Sequence, residues 1–455
     1  EPELALALDR DHARVRQPVV VVDLELDALL EVDEVELDLV RAVGEGEVRD
    51  QGVHHRRLAG ARLAGDEDVL ARDVQLQRLA AKGRDYTLGD QVVIRAKERE
   101  SLQRVIPTYC EFAERGQIEI STTPFYHPIL PLLCDSDIAH IAQPGATLPT
   151  RFAHPEDARE QLRRARNYMQ SKLGVAIRGL WPSEGSVSDE ALALAYDCGF
   201  SWAASDNHVL ALTLGKDAGC DVTYRPYHWS RNGRELHTIF RDRYLSDLIG
   251  FDYARMSASD AVDHFLGRIR ENTQGRDCMV PVILDGENAW EWYDANGRPF
   301  LRELYRRIEE DPGLEALTVS EALAKFEAET FTSIHPGSWI NANFAIWIGA
   351  EEDNVAWERL REAREFYEGH KESVTPAARE LAYEELLIAE GSDWCWWYGP
   401  EHHTANRVEF DELYRGHLAN VYRALGHTPP AVLSEPILRN VAPVGSQSGA
   451  MHRAD

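Results

Sequence analysis

Two stretches of this chain set a carboxylate next to tryptophan. One is Gly179-Leu180-Trp181-Pro182-Ser183-Glu184-Gly185, and the other is Ile283-Leu284-Asp285-Gly286-Glu287-Asn288-Ala289-Trp290-Glu291-Trp292. A sugar presents hydroxyls at its rim and apolar C–H patches on its faces, so carboxylates beside indole platforms suit a carbohydrate ligand. Glycosidic bond cleavage needs two carboxyl groups: one attacks or stabilises the anomeric carbon, and the other, kept protonated, donates to the leaving oxygen. Glu184 and Asp285 are the candidates for that pair. A lone Asp or Glu in such a place is more often a cap or an ion-pair partner, whereas two of them, each beside Trp, weigh evenly between structure and chemistry. Glu119 in Gly116-Gln117-Ile118-Glu119, His127 after Tyr126, and Asp206 in Asp206-Asn207-His208 are further polar candidates. His127 taken alone reads as a hydrogen-bonded structural histidine. The run Asp393-Trp394-Cys395-Trp396-Trp397-Tyr398 reads as core packing ahead of a cleft wall.

These side chains need rigid elements to hold them. Apolar, β-branched runs at 117–122, 175–181, 200–205, 237–241, 279–284 and 314–319 predict strands. Helical stretches, such as 155–172 and 257–271, alternate with them. Repeated βα units predict a parallel sheet, and the polar residues that follow several strands favour a closed barrel, whose strand ends open onto one face. In that arrangement Glu184 and Asp285 become neighbours although far apart in sequence. Beyond about 336 the texture turns helical, with helices predicted at 358–369, 375–390 and 410–425. The expected domains are therefore a barrel over 82–335, a helical domain over 336–441 and a disordered tail over 442–455.

The first eighty residues stand apart. They contain no Phe, Trp or Tyr, and they use only Glu, Pro, Leu, Ala, Asp, Arg, His, Val, Gln and Gly. Those ten are the residues of codons that begin with G or C, so a GC-rich gene read in a wrong frame or on the wrong strand would give this alphabet. Residues 1–81 are accordingly expected to be a mistranslated or disordered extension, the alternative being an acidic, weakly helical tail around 21–40.

With 49 Lys and Arg against 77 Asp and Glu, the formal net charge is −28. Such a surface repels phosphate backbones and anionic membranes, which argues against nucleic-acid or membrane partners. No apolar run approaches the roughly 18 residues of a membrane span, and no signal peptide opens the chain, so the expected location is the cytoplasm. The six cysteines are widely spaced with no C-x-x-C pair, which points to reduced structural thiols.

Several motifs, taken in order over roughly 82–440, resemble glycoside hydrolase family 57, in its α-amylase or α-mannosidase-like branch. Gly116 to Ile120 followed by Thr122-Thr123-Pro124-Phe125-Tyr126-His127-Pro128 is similar to the family's second conserved region. Trp181-Pro182-Ser183-Glu184 resembles the third, which supplies the nucleophile, and Asp285-Gly286-Glu287 the fourth, which supplies the acid/base. The segments Ile334 to Trp339 and Ala389 to Trp394 resemble later stretches. The resemblance implies a seven-stranded (β/α) barrel followed by a helical domain, a retaining mechanism, and a sugar subsite lined by Glu119, Trp181, Glu287 and Trp292. The full set of expected sugar contacts is Glu119, His127, Trp181, Asp206, Glu287, Trp290, Trp292 and Trp339. One departure matters: the family opens with a strand ending in His-Gln-Pro, and the only Gln-Pro in residues 1–84, Gln17-Pro18, follows Arg16. The barrel is thus expected to lack its opening strand or strands, leaving the truncated chain poorly folded or inactive.

The expected function is a retaining glycoside hydrolase acting on an α-linked glucan or oligosaccharide, with no metal or organic cofactor required by the two-carboxylate chemistry. An α-glucanotransferase or branching enzyme on the same site is the nearest alternative. A metal-dependent polysaccharide deacetylase using His127 with Asp206 or His208, and a noncatalytic glucan-binding relic, are the others.

Overall fold

The computed structural model describes residues 19–24, 78–79, 81–286, 289–402 and 404–439. Strand β1 (Val19–Leu24) is followed by helix α1 (Leu88–Glu114), β2 (Ser121–Thr122), α2 (Pro155–Leu173), β3 (Gly179–Leu180), α3 (Asp189–Asp197) and β4 (Trp202–Asp206). After α4 (Asn207–Leu214) come β5 (Tyr227–Arg231), β6 (Arg234–Arg241), α5 (Ala258–Thr273), β7 (Met279–Leu284), α6 (Arg298–Glu310) and β8 (Glu315–Ala316). The order closes with α7 (Val319–Lys325), β9 (Glu329–Phe331) and the helices α8 (Glu351–His370), α9 (Pro376–Ala389), α10 (Asp393–Tyr398) and α11 (Arg407–Ala424).

Strands β2, β3, β4 and β6 pair in parallel in that order, and β1 lies parallel between β7 and β8. The two sets meet where the Asp242 backbone N–H donates to the Pro281 carbonyl at 2.8 Å. They meet again where Glu119, just before β2, accepts from Ser320 on α7. The parallel strands thus wrap into a barrel. The hairpin β5–β6 was not foreseen as two strands. It turns through Asn232 and Gly233, both at positive φ, which is the backbone that an Asn-Gly pair adopts at little cost.

Alternation along the strands sorts the side chains into an inside and an outside. Trp202 and Ala204 of β4, Ile239 of β6 and Met279 and Ile283 of β7 join Trp181, Val319, Ala322 and Trp339 in one buried cluster. The intervening residues Leu180, Ala203 and Phe240 face a second core, while Val280, Val282 and Leu284 face a third beneath α5 and α6. The inner cluster is tight: a Cβ on Gly179 would lie 2.0 Å from the Trp202 ring, so only glycine lets that indole fill the barrel floor.

The second core runs on without a break from the barrel's outer side into α8, α9 and α11. The boundary expected at 335–336 therefore falls within shared packing. Asp157 on α2 and Arg364 on α8 form a buried ion pair at 2.7 Å across the same junction, and Tyr383 on α9 donates to Asp157 at 2.8 Å.

One strand comes from the opening segment, where the sequence was expected to give none. Four consecutive valines, Val19 to Val22, supply the β-branched run that extended pairing favours. The residues that follow, Glu25-Leu26-Asp27, are not His-Gln-Pro. The expectations for 1–18, for 25–77 and for the tail 442–455 lie outside the described residues.

Candidate active site

The inward-facing positions of the barrel end in polar groups at one mouth. On β4 the inward row Trp202, Ala204 continues to Asp206, and on β6 Ile239 continues to Arg241, its neighbour in register. On β7 the row Met279, Ile283 reaches Asp285 at the next inward step. Glu184 arrives from β3 on a single tight turn, Ser183–Gly185.

That turn is held from three sides. Glu184 itself has φ 57° and ψ 28°, a left-handed conformation that a non-glycine residue adopts at a cost of order 1–3 kcal/mol, offset by its surroundings. The Ser205 hydroxyl donates to the Gly185 carbonyl at 2.7 Å. Trp339 bonds Glu184 twice: its backbone N–H donates to the Glu184 carbonyl at 2.9 Å, and its indole Nε1–H donates to the carboxylate Oε2 at 2.7 Å. Trp181 meets Trp339 edge-on, ring centroids 5.4 Å apart. The strain thus sits where a carboxylate is being aimed.

Burial pushes the Glu184 carboxyl up to about 7. The charge of His127 opposes that shift, Asp285 adds to it, the Trp339 hydrogen bond opposes it and Asp393 adds to it. Side chains from β3, β7, the loop after β2 and the start of α10 therefore share one electrostatic neighbourhood. His127, at φ 53°, faces the helical region, with its Nδ1 2.7 Å from the Ser392 hydroxyl.

The remaining expected contacts fall in different places. Trp181 is buried beneath Glu184, and Trp339 is 8% exposed at its side. Glu119 lies just before β2, where its carboxylate accepts from Trp202 Nε1 at 3.0 Å and from the Ser320 backbone and hydroxyl at 2.7 and 2.6 Å. It ties β2, β4 and α7 together. Asp206 has 0% exposure, caps α4 through the His208 N–H and pairs with Arg241 at 3.5 Å, leaving no surface for a ligand. Trp290 packs against Tyr293 and Phe300 in the core beneath α6, while Trp292 is 60% exposed. Glu287 lies outside the described residues. His127, Asp206 and His208 are not gathered as metal ligands. Among the described residues the cluster with ligand spacing is His154, Glu156 and Asp157, and both of its carboxylates are engaged by Arg364.

Four residues that act on Glu184 or His127 were not among the expected site residues: Arg241, Ser205, Ser392 and Asp393. The only sequence signal for Arg241 was its place as the last inward step of a strand. For Asp393 it was the adjoining tryptophan run.

The description of glycosyl hydrolase family 57 matches residues 75–335, more than half of the chain. The chain belongs to that family. Among curated proteins, it is 26% identical over 240 residues to an alpha-amylase of Pyrococcus furiosus, covering 50% of this chain and 32% of that one. It is 27% identical over 222 residues to a 4-alpha-glucanotransferase of Thermococcus kodakarensis, covering 47% and 28%. The match thus spans only about a third of the length of these curated relatives. A family 57 branching enzyme from Thermococcus kodakaraensis superposes with a TM-score of 0.59 at 15% identity, over 90% of each chain. The alpha-amylase AmyC from Thermotoga maritima gives 0.58 at 13% identity, over 90% of this chain and 94% of that one. At such identities the likeness speaks for the fold: an α/β barrel with a helical C-terminal region, as the sequence led one to expect. No described helix is long and apolar enough to cross a membrane, and all six cysteines are free.

Proposed function

We propose that this family 57 chain is a retaining glycoside hydrolase acting on α-linked glucan or oligosaccharide, with Glu184 as nucleophile and Asp285 as acid/base. The observation that carries the reading is that β3 and β7, parallel strands of the barrel, deliver Glu184 and Asp285 at the same, C-terminal end. Glu184 attacks the anomeric carbon as the glycosidic bond breaks, and Asp285 gives its proton to the departing oxygen. Asp285 then takes a proton from water, which displaces Glu184 and restores both groups. His127 and the Trp339 N–H stabilise the ionised form of Glu184 in a site whose burial otherwise favours the protonated form. Trp292, exposed beyond Asp285, offers an apolar face to a sugar ring.

The same machinery transfers glucan when a sugar hydroxyl reaches the glycosyl-enzyme before water does. Longer products from maltooligosaccharides mean transfer, and shorter reducing sugars alone mean hydrolysis. Glu184→Gln and Asp285→Asn should each lower turnover by about 10²–10⁴-fold. Azide added to Glu184→Gly should restore glycosyl transfer with inverted anomeric configuration, and added to Asp285→Gly with retained configuration. The opposite pattern would exchange the two roles. Sugar binding without turnover, unaltered by Glu184→Gln, would leave the noncatalytic reading standing, full activity in both carboxamide variants would overturn the roles given to these two residues, and loss of activity on chelation would favour the deacetylase.

A further inference from the structure

We propose that Arg241 is a positioning residue for Glu184, acting through the indole of Trp339. The inference rests on the reading of Glu184 as a reacting carboxylate. Arg241 ends β6 on its inward face, and its guanidinium carbon lies 4.9 Å from the centroid of the Trp339 ring. The same indole donates Nε1–H to Glu184 Oε2 at 2.7 Å, so guanidinium, ring and carboxylate form one continuous relay.

The guanidinium is itself fixed. It donates to Asp247 Oδ1 at 2.6 Å, lies 3.5 Å from Asp206 Oδ2, and Arg243 stands 3.6 Å from the far oxygen of Asp247. Arg241, Asp206 and Asp247 are all buried, and one Asp206 oxygen and the Arg241 Nε have no hydrogen-bond partner. A buried charge cluster with incomplete hydrogen bonding is a poor way to stabilise a barrel, since apolar residues of similar volume would often serve as well or better. Its use here is geometric. A planar cation clamped by two carboxylates holds the flat indole from one side, while the edge of Trp181 meets it at 72°. A cation against the ring face also draws electron density from it and makes Nε1–H a stronger donor.

The other charges that face Glu184 are His127, Asp285 and Asp393, none of them on β6. Arg241 thus works on the carboxylate by a route those groups do not share. It keeps the donor aimed and Glu184 ionised, and it touches no substrate.

The test uses the full chain with ¹⁵N-labelled tryptophan. The Trp339 indole signal, assigned by Trp339→Phe, reports ionisation of Glu184 without turnover. Arg241→Met removes the charge. Arg241→Lys keeps the charge near Asp247 but loses the planar stack, and it remains informative should Arg241→Met fail to fold. The expected result in both is an indole titration midpoint raised by at least about half a pH unit, with kcat lowered about 10-fold or more and KM changed less than about 3-fold. The acidic limb of the rate profile should rise with the indole midpoint. Folded variants with an unaltered indole titration and an unaltered kcat would overturn the proposal. Full activity of Glu184→Gln would instead overturn the catalytic reading, while the indole titration in the Arg241 variants would still show whether Arg241 orients Trp339.

Discussion

His127 and Ser392 meet twice across 265 residues of chain: the imidazole Nδ1 lies 2.7 Å from the serine hydroxyl, and the serine backbone N–H donates to the His127 carbonyl at 3.0 Å. The first residue is in the loop after β2 and the second opens the α10 segment of the helical region. That region therefore contributes directly to the orientation of a side chain beside Glu184.

Ser392→Ala removes one of the two bonds and leaves the backbone bond in place. The expected cost is about 0.5–1.5 kcal/mol in unfolding free energy, the net value of one such hydrogen bond. Turnover should drop more than stability implies, because His127 loses its aim, and Ser392→Thr should recover most of it. Urea unfolding and steady-state kinetics on the three proteins check this. Unchanged kcat in Ser392→Ala would show that the backbone bond alone orients the ring.

The proton affinity of Glu184 sets a pH dependence with a definite sign. The native carboxyl titrates near 7, above the ordinary glutamate range, so between about pH 4.5 and 7 the folded chain holds a proton that the unfolded chain releases. Its contribution to stability is present in full below that window and is lost as pH rises through it. With Glu184 as the proposed nucleophile, activity goes the other way, since attack needs the ionised form, and kcat/KM should climb through an acidic limb near pH 7. Comparing urea unfolding of the native sequence with Glu184→Gln at pH 5, 6 and 7 isolates the first effect. A stability difference that stays flat across those three points would refute it.

Glu119 separates a structural role from a sugar-binding one. Its carboxylate accepts from Trp202 and twice from Ser320, so Glu119→Gln, which presents an amide N–H to some of those donors, should cost about 1–3 kcal/mol of stability. KM for maltooligosaccharide should stay within about 2-fold of the native value in the folded variant. A selective rise in KM with stability intact would restore Glu119 to the substrate site.

The sequence by itself determined what depends on near neighbours in the chain. The apolar runs at 200–205, 237–241 and 279–284 announced strands, and the polar residues that follow them put Asp285 at a strand end. The Trp-Pro-Ser-Glu turn announced Glu184, and the long helices Pro155–Leu173 and Pro376–Ala389 fall within two residues of their expected limits. Tertiary structure alone decided which polar groups spend themselves on one another. Glu119 and Asp206 had the right residue type and lie next to strands, yet Ser320 and Arg241 engage them, and those partners lie 201 and 35 residues away. Trp290 likewise turned into a core against Tyr293 and Phe300. The physical reason is range. Backbone geometry sets a side chain's direction within a few residues, but whether a carboxylate reaches solvent, a substrate or an arginine depends on which distant surface the fold presses against it.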